Sequence, residues 1–192
     1  MGTVAYGWLA RVHWPAREQA IRGLIRRHFL NETASRDPMT RILDVGCGPA
    51  WLAETAAALD AEYLGVDPDP PRGVPQVRAG RASDVEELLQ PRDLVVINGV
   101  AHHLDDAELS GVVASARRSA GLIVCDHALD AATPLRSRVL QSLDRGRHVR
   151  PLEFFERLRG WSRIETLRFP IRIAGIPAWD YFAAAYRPEP QA

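Results

Sequence analysis

Five short apolar runs, separated by segments of helical character, constrain the fold of this chain more than any other feature. Most of these runs are continuous rather than alternating in polarity, which is typical of strands that are covered on both faces. Alternation of such strands with helices predicts an α/β fold: a Rossmann-like, doubly wound, mostly parallel sheet with helices on both faces. The runs are RILDV, EYLGV, QVRAG, DLVVI and AGLIVCD, at residues 41–45, 62–66, 76–80, 93–97 and 120–126.

The segments outside these runs have patterns of their own. Residues 15–30 place apolar side chains at helical spacing and predict an N-terminal helix, in which Pro15 belongs to the first turn. Ser83 is predicted to cap a short helix. Residues 162–169 and 178–187 predict two strands around a turn, which would form an antiparallel C-terminal edge of the sheet.

The length and charge of the chain indicate one ordinary globular domain. We expect a single domain over 1–192, with a helical cap at 1–40, a core at 41–126, and further helices and strands at 127–192. The formal net charge is +0, so no global field attracts nucleic acid or an anionic membrane surface.

The residue types present exclude several kinds of chemistry. All 24 basic residues are arginine, which excludes a Schiff base on lysine and a P-loop lysine. The spacing of Cys47 and Cys125 indicates neither a metal site nor a disulfide framework. No secretory signal is visible and the apolar runs are too short to span a bilayer, so we expect a cytoplasmic protein without a membrane partner.

A glycine-rich turn follows the first apolar run, in the stretch LDVGCGPAWLA. Gly46 and Gly48 are costly to order, so the turn predicts a close approach between backbone and ligand. A strand, glycine turn and helix in this order bring backbone N–H groups and a helix N-terminus against that ligand. A dinucleotide site needs a small residue three positions after the second glycine, where this chain has Trp51, so NAD and FAD are disfavoured.

This stretch resembles motif I of the class I S-adenosylmethionine-dependent methyltransferases. Asp44, Gly46 and Gly48 stand at the usual places of that motif, and Ala50 stands where the family often has glycine. The resemblance implies S-adenosyl-L-methionine as the cofactor, with Asp44, Gly46, Cys47 and Gly48 in its binding site.

A second acidic residue, Asp67, ends the second apolar run. A carboxylate at the tip of this strand can accept hydrogen bonds from both hydroxyls of a ribose. The alternative is a helix cap or a solvated acid in a loop. The strand and turn setting favours ribose binding by Asp67, with Pro68 beside it.

The stretch DLVVINGVAHHLDD resembles the fourth strand and following loop of the small-molecule branch of this family. The resemblance implies that Asn98 and Gly99 line the methyl-donor site, with His102 and His103 just beyond. A base helps if the acceptor is a hydroxyl or an acidic carbon, and His102 and His103 are the candidates. In the alternative, both are structural: one caps the following helix and the other packs.

Two parts of the site stay open at this point. Where the family has an aspartate that contacts adenine, this chain has Gly80 or Arg81. In this family the acceptor is usually held by the N-terminal segment and by the region after the fifth strand. An arginine cluster in the second of these could clamp an anion, although the alternative is a solvated loop that closes a helix at Gly146. The candidates are Tyr6, Trp8, His13 and Trp14 in the first, and His127, Arg136 and the loop at 144–150 in the second.

The resemblance implies methyl transfer from S-adenosylmethionine to a small-molecule acceptor, by O-, N- or C-methylation. The alternative is a protein of the same fold that binds S-adenosylmethionine and catalyses another reaction, such as a cyclisation, or is a non-catalytic partner. A nucleic-acid methyltransferase is disfavoured because residues 98–101 read NGVA rather than the Asn/Asp-Pro-Pro-aromatic motif. We expect no metal and no nucleic-acid partner, and the oligomeric state is open.

Overall fold

A seven-stranded sheet is the centre of the fold in the computed structural model, which describes residues 3–30, 39–131, 133–142, 147–173 and 175–190. The strands are β1 Arg41–Val45, β2 Glu62–Asp67, β3 Val77–Ala79, β4 Asp93–Asn98, β5 Gly121–His127, β6 Trp161–Ile173 and β7 Ile176–Pro188. Their order is β3-β2-β1-β4-β5-β7-β6. The first five pair in parallel, and β7 pairs antiparallel with both β5 and β6.

Six helices accompany the sheet within the described residues. They are α1 Thr3–His28, α2 Leu52–Ala57, α3 Val85–Leu88, α4 Asp106–Ser115, α5 Leu135–Ser142 and α6 Leu152–Glu156. Side chains of α1 and α2 share one buried cluster with one face of the sheet, and side chains of α4 and α6 share another with the opposite face. The predicted α/β class, the mostly parallel sheet and the antiparallel C-terminal strands are therefore confirmed.

The N-terminal helix differs from its prediction. It begins at Thr3, so Pro15 lies inside the helix rather than in its first turn. An interior proline removes one backbone hydrogen bond and costs about 3 kcal/mol. The helix continues because its later turns are anchored on the sheet, where Ile21 and Leu24 are fully buried. The apolar spacing at residues 15–30 therefore predicted only the part of the helix that packs on the sheet.

The predicted cap at Ser83 is wrong. A short 3-10 turn at Ala82–Asp84 precedes α3, and Asp84 is the residue that satisfies the backbone there. Its Oδ2 accepts a hydrogen bond from Arg81 N at 2.9 Å, and Ser83 Oγ donates to its Oδ1 at 3.1 Å. A carboxylate offers two acceptor oxygens where a hydroxyl offers one, so Asp84 takes both donors.

The register of the parallel strands brings their carboxyl ends to one edge of the sheet. Asp44 lies opposite Gly65, and Asn98 lies opposite Cys125. The glycine turn, the end of β2, the loop after β4 and the end of β5 therefore converge at this edge, where open α/β sheets bind ligands. Among the described residues, no helix has the length and apolar character needed to cross a membrane.

Candidate functional site

The glycine turn at the end of β1 is built on left-handed backbone. Gly46 and Gly48 have φ of 67° and 50°. Gly46 N donates to Val66 O at 2.8 Å and Gly48 N donates to Asp67 Oδ2 at 2.8 Å. Both N–H groups are bonded within the protein, so neither is a spare donor for a ligand in this structure. Gly48 borders open space, because a Cβ there would lie within 4 Å of no atom of the described residues.

Two neighbouring positions restrict what the turn tolerates. A Cβ on Gly46 would lie 2.5 Å from Val100 Cγ2, so any larger residue there displaces the loop after β4 as well as narrowing the site. Ala50 is also left-handed, with φ of 60°, at the position where glycine is frequent in the resembling family. This conformation costs an L-residue about 1–2 kcal/mol. The turn keeps its shape despite that strain.

The Asp67 carboxylate accepts a hydrogen bond from the glycine turn and retains acceptor sites for a ligand. Its Oδ2 accepts from Gly48 N and its Oδ1 accepts from Asp69 N at 2.9 Å. Each carboxylate oxygen has two lone pairs, so one acceptor site on each remains. The half-buried carboxylate can therefore hold the two hydroxyls of a sugar without releasing the turn.

A cavity of about 320 Å³ lies between the ends of β1 and β2 and the loop after β4, and is lined by Val66 and Pro68, the two chain neighbours of Asp67. Pro68 and His103, both predicted site residues, line it together with Gly80 and Arg81. The remaining lining residues are Val45, Gly46, Val66, Ala82, Val100, Leu104 and Glu108. The walls are mainly apolar, which suits a flat purine base.

Asp44 and Cys47 lie below the turn, on the side of the core. Asp44 is 2% exposed and accepts a hydrogen bond from Tyr63 Oη at 2.9 Å. Burial raises the pKa of Asp44 to about 7, against the opposing effects of the Tyr63 hydrogen bond and the Arg17 charge. Burial also raises the pKa of Cys47 to about 12, and its thiol lies against Gly65. Cys47 is thus a neutral thiol that faces the protein interior.

The buried acid predicts a pH-dependent stability that Asp44→Asn removes. Folded protein keeps the Asp44 proton up to pH about 7, whereas the unfolded chain releases it near 3.8, so stability falls as pH rises between these values. In mildly alkaline buffer Asp44→Asn should be more stable than wild type by about 2–4 kcal/mol. This corresponds to roughly 5–10 °C in Tm. Thermal unfolding without cofactor, at mildly acidic and mildly alkaline pH, measures it, and equal pH dependence in both proteins contradicts it.

Arg17 is a site residue that the sequence analysis missed. It projects from α1 and is 9% exposed, with its guanidinium 5.7 Å from the Tyr181 ring centroid. A Cβ on Gly99 would collide with its Nη1, the far end of a flexible side chain that can shift, so the glycine is explained by its φ of 69°. Its Nε has no hydrogen-bond partner among the described residues. A buried guanidinium with a spare donor suits a ligand carboxylate.

Asn98 completes this side of the site at the end of β4. Its Oδ1 is buried and has no hydrogen-bond partner within the described part of the chain. The chain then turns at Gly99, with φ of 69° and its N–H bonded to Cys125 O at 2.7 Å. A buried amide oxygen without a donor is costly, so its position points to a ligand N–H or a water.

The two histidines after β4 have different surroundings. His102 is 5% exposed, and its Nδ1 lies 2.6 Å from Asp126 Oδ1. Asp126 Oδ2 also accepts from His102 N, and Oδ1 accepts from His127 N. Burial alone would raise the pKa of Asp126, but the charge of His102 and these hydrogen bonds lower it to about 2. His103 is exposed and its ring lies 4.2 Å from the His102 ring.

The surroundings of the histidines test one of the alternatives for their roles, the capping of α4. The helix α4 is capped by Asp105, whose Oδ1 accepts from Glu108 N at 2.8 Å, so the interpretation that a histidine caps this helix is wrong. His102, Asp126 and His127 each offer a donor atom within 4.8 Å of the others. Three protein N–H groups already bond to the Asp126 carboxylate, so its oxygens have hydrogen-bond partners within the protein.

Most candidates for holding an acceptor have protein contacts. His13 packs against Trp179 at 4.6 Å between ring centroids, and Trp14 lies 5.5 Å from Trp51. His127 lies 4.6 Å from Tyr181, and Arg136 Nε donates to Pro177 O at 2.9 Å. Tyr6 and Trp8 lie outside the described side chains, and residues 144–146 outside the described chain.

Known proteins resemble this chain in sequence. A family model described as a methyltransferase domain matches residues 43–125. A ubiquinone biosynthesis O-methyltransferase of Azorhizobium caulinodans is 31% identical over 50% of this chain and 43% of its own length. Another of the same name, from Rhizobium etli, is 28% identical over 91% of this chain and 75% of its own length. The chain thus spans less than half of the first relative and three quarters of the second.

Solved structures agree with the sequence comparison. The 1,6-didemethyltoxoflavin-N1-methyltransferase of Burkholderia thailandensis, solved with S-adenosylhomocysteine, has a TM-score of 0.65 at 16% identity. The match covers 95% of this chain and 81% of that one. At this identity the likeness shows the shared fold, and the family model supplies the match in sequence. Residues 43–125 thus match a methyltransferase domain, and with the shared fold this match supports a class I S-adenosylmethionine-dependent methyltransferase that acts on small molecules.

Proposed function

We propose that the acceptor of this methyltransferase is a small molecule with an acidic hydroxyl group, such as a phenol, and that His102 is the general base. The observation that carries this proposal is the buried pair of His102 Nδ1 and Asp126 Oδ1, 2.6 Å apart, at the edge where the cofactor site lies. Both of the curated relatives are O-methyltransferases, which supports an oxygen acceptor.

The residues at this edge fit S-adenosylmethionine, which supplies an electrophilic methyl group when bound. Asp67 has acceptor capacity for the ribose hydroxyls, and the open space beside Gly48 admits the ligand. We assign the methionine carboxylate to Arg17 and the ammonium to Asn98; Asp44, buried below the turn, stays a predicted cofactor residue. The spare Arg17 donor and the unpartnered Asn98 oxygen support this assignment.

The pair of His102 and Asp126 has the arrangement that a general base needs. The lowered pKa of Asp126 keeps it ionised at neutral pH, and its Oδ1 accepts the Nδ1 proton, so Nε2 is the ring nitrogen that would take the proton of the acceptor. The carboxylate also stabilises the imidazolium that forms when the hydroxyl proton arrives. Such a base contributes about 10²–10⁴-fold to the rate. In this proposal His103, which lines the cavity, contacts the cofactor and is not the base.

The other interpretations of the chain are weaker. A protein that binds S-adenosylmethionine without transferring a methyl group is not favoured, since the curated relatives are methyltransferases. Nothing in the described residues indicates a nucleic-acid acceptor, because Gly99 and Val100 stand where the base-methylating motif has two prolines. A cytoplasmic location stays a prediction.

Formation of S-adenosylhomocysteine in the presence of an acceptor tests the function. We expect the full chain to be stabilised in thermal unfolding by S-adenosylmethionine and S-adenosylhomocysteine but not by NAD. With catechol as the acceptor, S-adenosylhomocysteine should form and mass spectrometry should find a methyl ether. Aniline and benzoate at the same concentration are the matched controls. Cofactor binding with turnover of aniline alone would contradict the assignment to oxygen.

A further inference from the structure

Arg150 lies between α5 and α6 and is 7% exposed. A guanidinium has five N–H donors, and here every one has a protein acceptor. Nη1 donates to Ala101 O at 2.7 Å and to His148 O at 3.1 Å. Nη2 donates to Leu104 O at 2.8 Å and to Asp106 Oδ1 at 2.7 Å, and Nε donates to Asp106 Oδ1 at 3.0 Å. The side chain therefore holds the loop between β4 and α4 on both sides of the two histidines.

The backbone around Arg150 extends this connection. His148 N donates to His102 O at 3.0 Å. Leu152 N donates to Leu129 O at 2.9 Å, in the loop after β5. The segment at 148–152 thus joins the loop that carries His102 to the strand end that carries Asp126. The geometry of the short His102–Asp126 bond depends on both of these loops.

We propose that Arg150 is a positioning residue that sets the orientation of His102 against Asp126; this rests on the proposed role of His102 as the base. Asp126 holds the imidazole from one side through Nδ1, and Arg150 fixes the carbonyl groups that precede and follow the two histidines. Loss of Arg150 leaves those carbonyl groups without their donor, so the loop relaxes and the imidazole leaves its alignment.

The same contacts exclude another role for Arg150. An arginine in the loop at 144–150 was a candidate clamp for an anionic acceptor, but all five donors of Arg150 are taken by the protein. Lysine cannot replace it, because an ammonium group has three donors on one nitrogen and lacks the planar fork. Arg150 Cζ also lies 5.3 Å from the Phe154 ring centroid, which fixes the plane of the guanidinium.

Arg150→Lys in the full chain tests the proposal, with Arg159→Lys, at an exposed position after α6, as the matched control. With catechol as the acceptor, Arg150→Lys should lower kcat about 10–100-fold while the KM for S-adenosylmethionine changes little. Proton NMR of the protein without acceptor supplies an independent readout. The hydrogen-bonded His102 Nδ1 proton should shift or exchange with solvent in Arg150→Lys and stay unchanged in Arg159→Lys.

A second variant keeps the test decisive if Arg150→Lys folds poorly. Asp106 is 86% exposed in its side chain, so Asp106→Ala removes an acceptor of Arg150 at little cost to the core. We expect a smaller change of the same kind in kcat and in the His102 signal. An unchanged His102 signal in both variants, or loss of stability with unchanged kcat per folded molecule, overturns the proposal. If the His102 signal changes as expected but no protein turns over catechol, the proposed function is contradicted and the positioning role of Arg150 is not.

Discussion

Replacement of His102 by asparagine should lower kcat for a phenolic acceptor by about 10²–10⁴-fold. The asparagine amide can still donate to Asp126, so the buried carboxylate keeps a partner, but no proton acceptor replaces Nε2. The loss should appear in kcat rather than in the affinity for S-adenosylmethionine. S-adenosylhomocysteine formation at saturating cofactor measures the effect.

Two further variants separate the base from its neighbours. His103→Asn makes the same chemical change at the adjacent exposed histidine and should change mainly the KM for the cofactor, because His103 lines the cofactor cavity. Asp126→Asn keeps the imidazole but removes the charge that orients it, so kcat should fall strongly there too. If His103→Asn costs more in kcat than His102→Asn, the base is His103 and the role of Asp126 is structural.

The cofactor half of the site could be predicted because its signals are local. Gly46 and Gly48 follow a strand directly, and Asp67 ends the next strand, so the parallel register alone brings them together. The hydrogen-bond partners of the turn could not be predicted from the sequence. The N–H groups of the turn bond to Val66 and Asp67, a detail that depends on how two strand ends meet in space.

The acceptor half could not be predicted to the same depth because its contacts join distant segments. The pair of His102 and Asp126 spans 24 positions, and Arg150 reaches Ala101 across 49. No periodicity or motif relates such residues, and their pairing follows only from the sheet order and loop paths. Arg17 is similar: its helix was predicted, but which of its arginines faces the site depends on how the helix lies across the strand ends.

Removal of the Asp67 carboxylate should have the largest effect on cofactor binding. Hydrogen bonds to a charged acceptor contribute about 1.5–3 kcal/mol each, so loss of both sugar contacts in Asp67→Ala should weaken S-adenosylmethionine binding at least about 100-fold. Isothermal calorimetry at a temperature where both proteins are folded measures this. Asp69→Ala is the matched control, because it removes an exposed carboxylate from the same loop and should leave the affinity unchanged.

The contacts of Asp67 with the turn require one more variant for a clear result. Asp67→Ala also removes the acceptor of Gly48 N, and an unpartnered N–H in the turn costs about 1–3 kcal/mol of stability. Asp67→Asn keeps a carbonyl oxygen for Gly48 N but loses the charge and one acceptor oxygen. If the carboxylate holds the sugar, Asp67→Asn should bind the cofactor much more weakly than wild type while its Tm stays close. If Asp67 only stabilises the turn, Asp67→Asn should bind the cofactor with wild-type affinity, because its carbonyl oxygen still accepts from Gly48 N. In that case only Asp67→Ala, which loses this hydrogen bond, should bind more weakly.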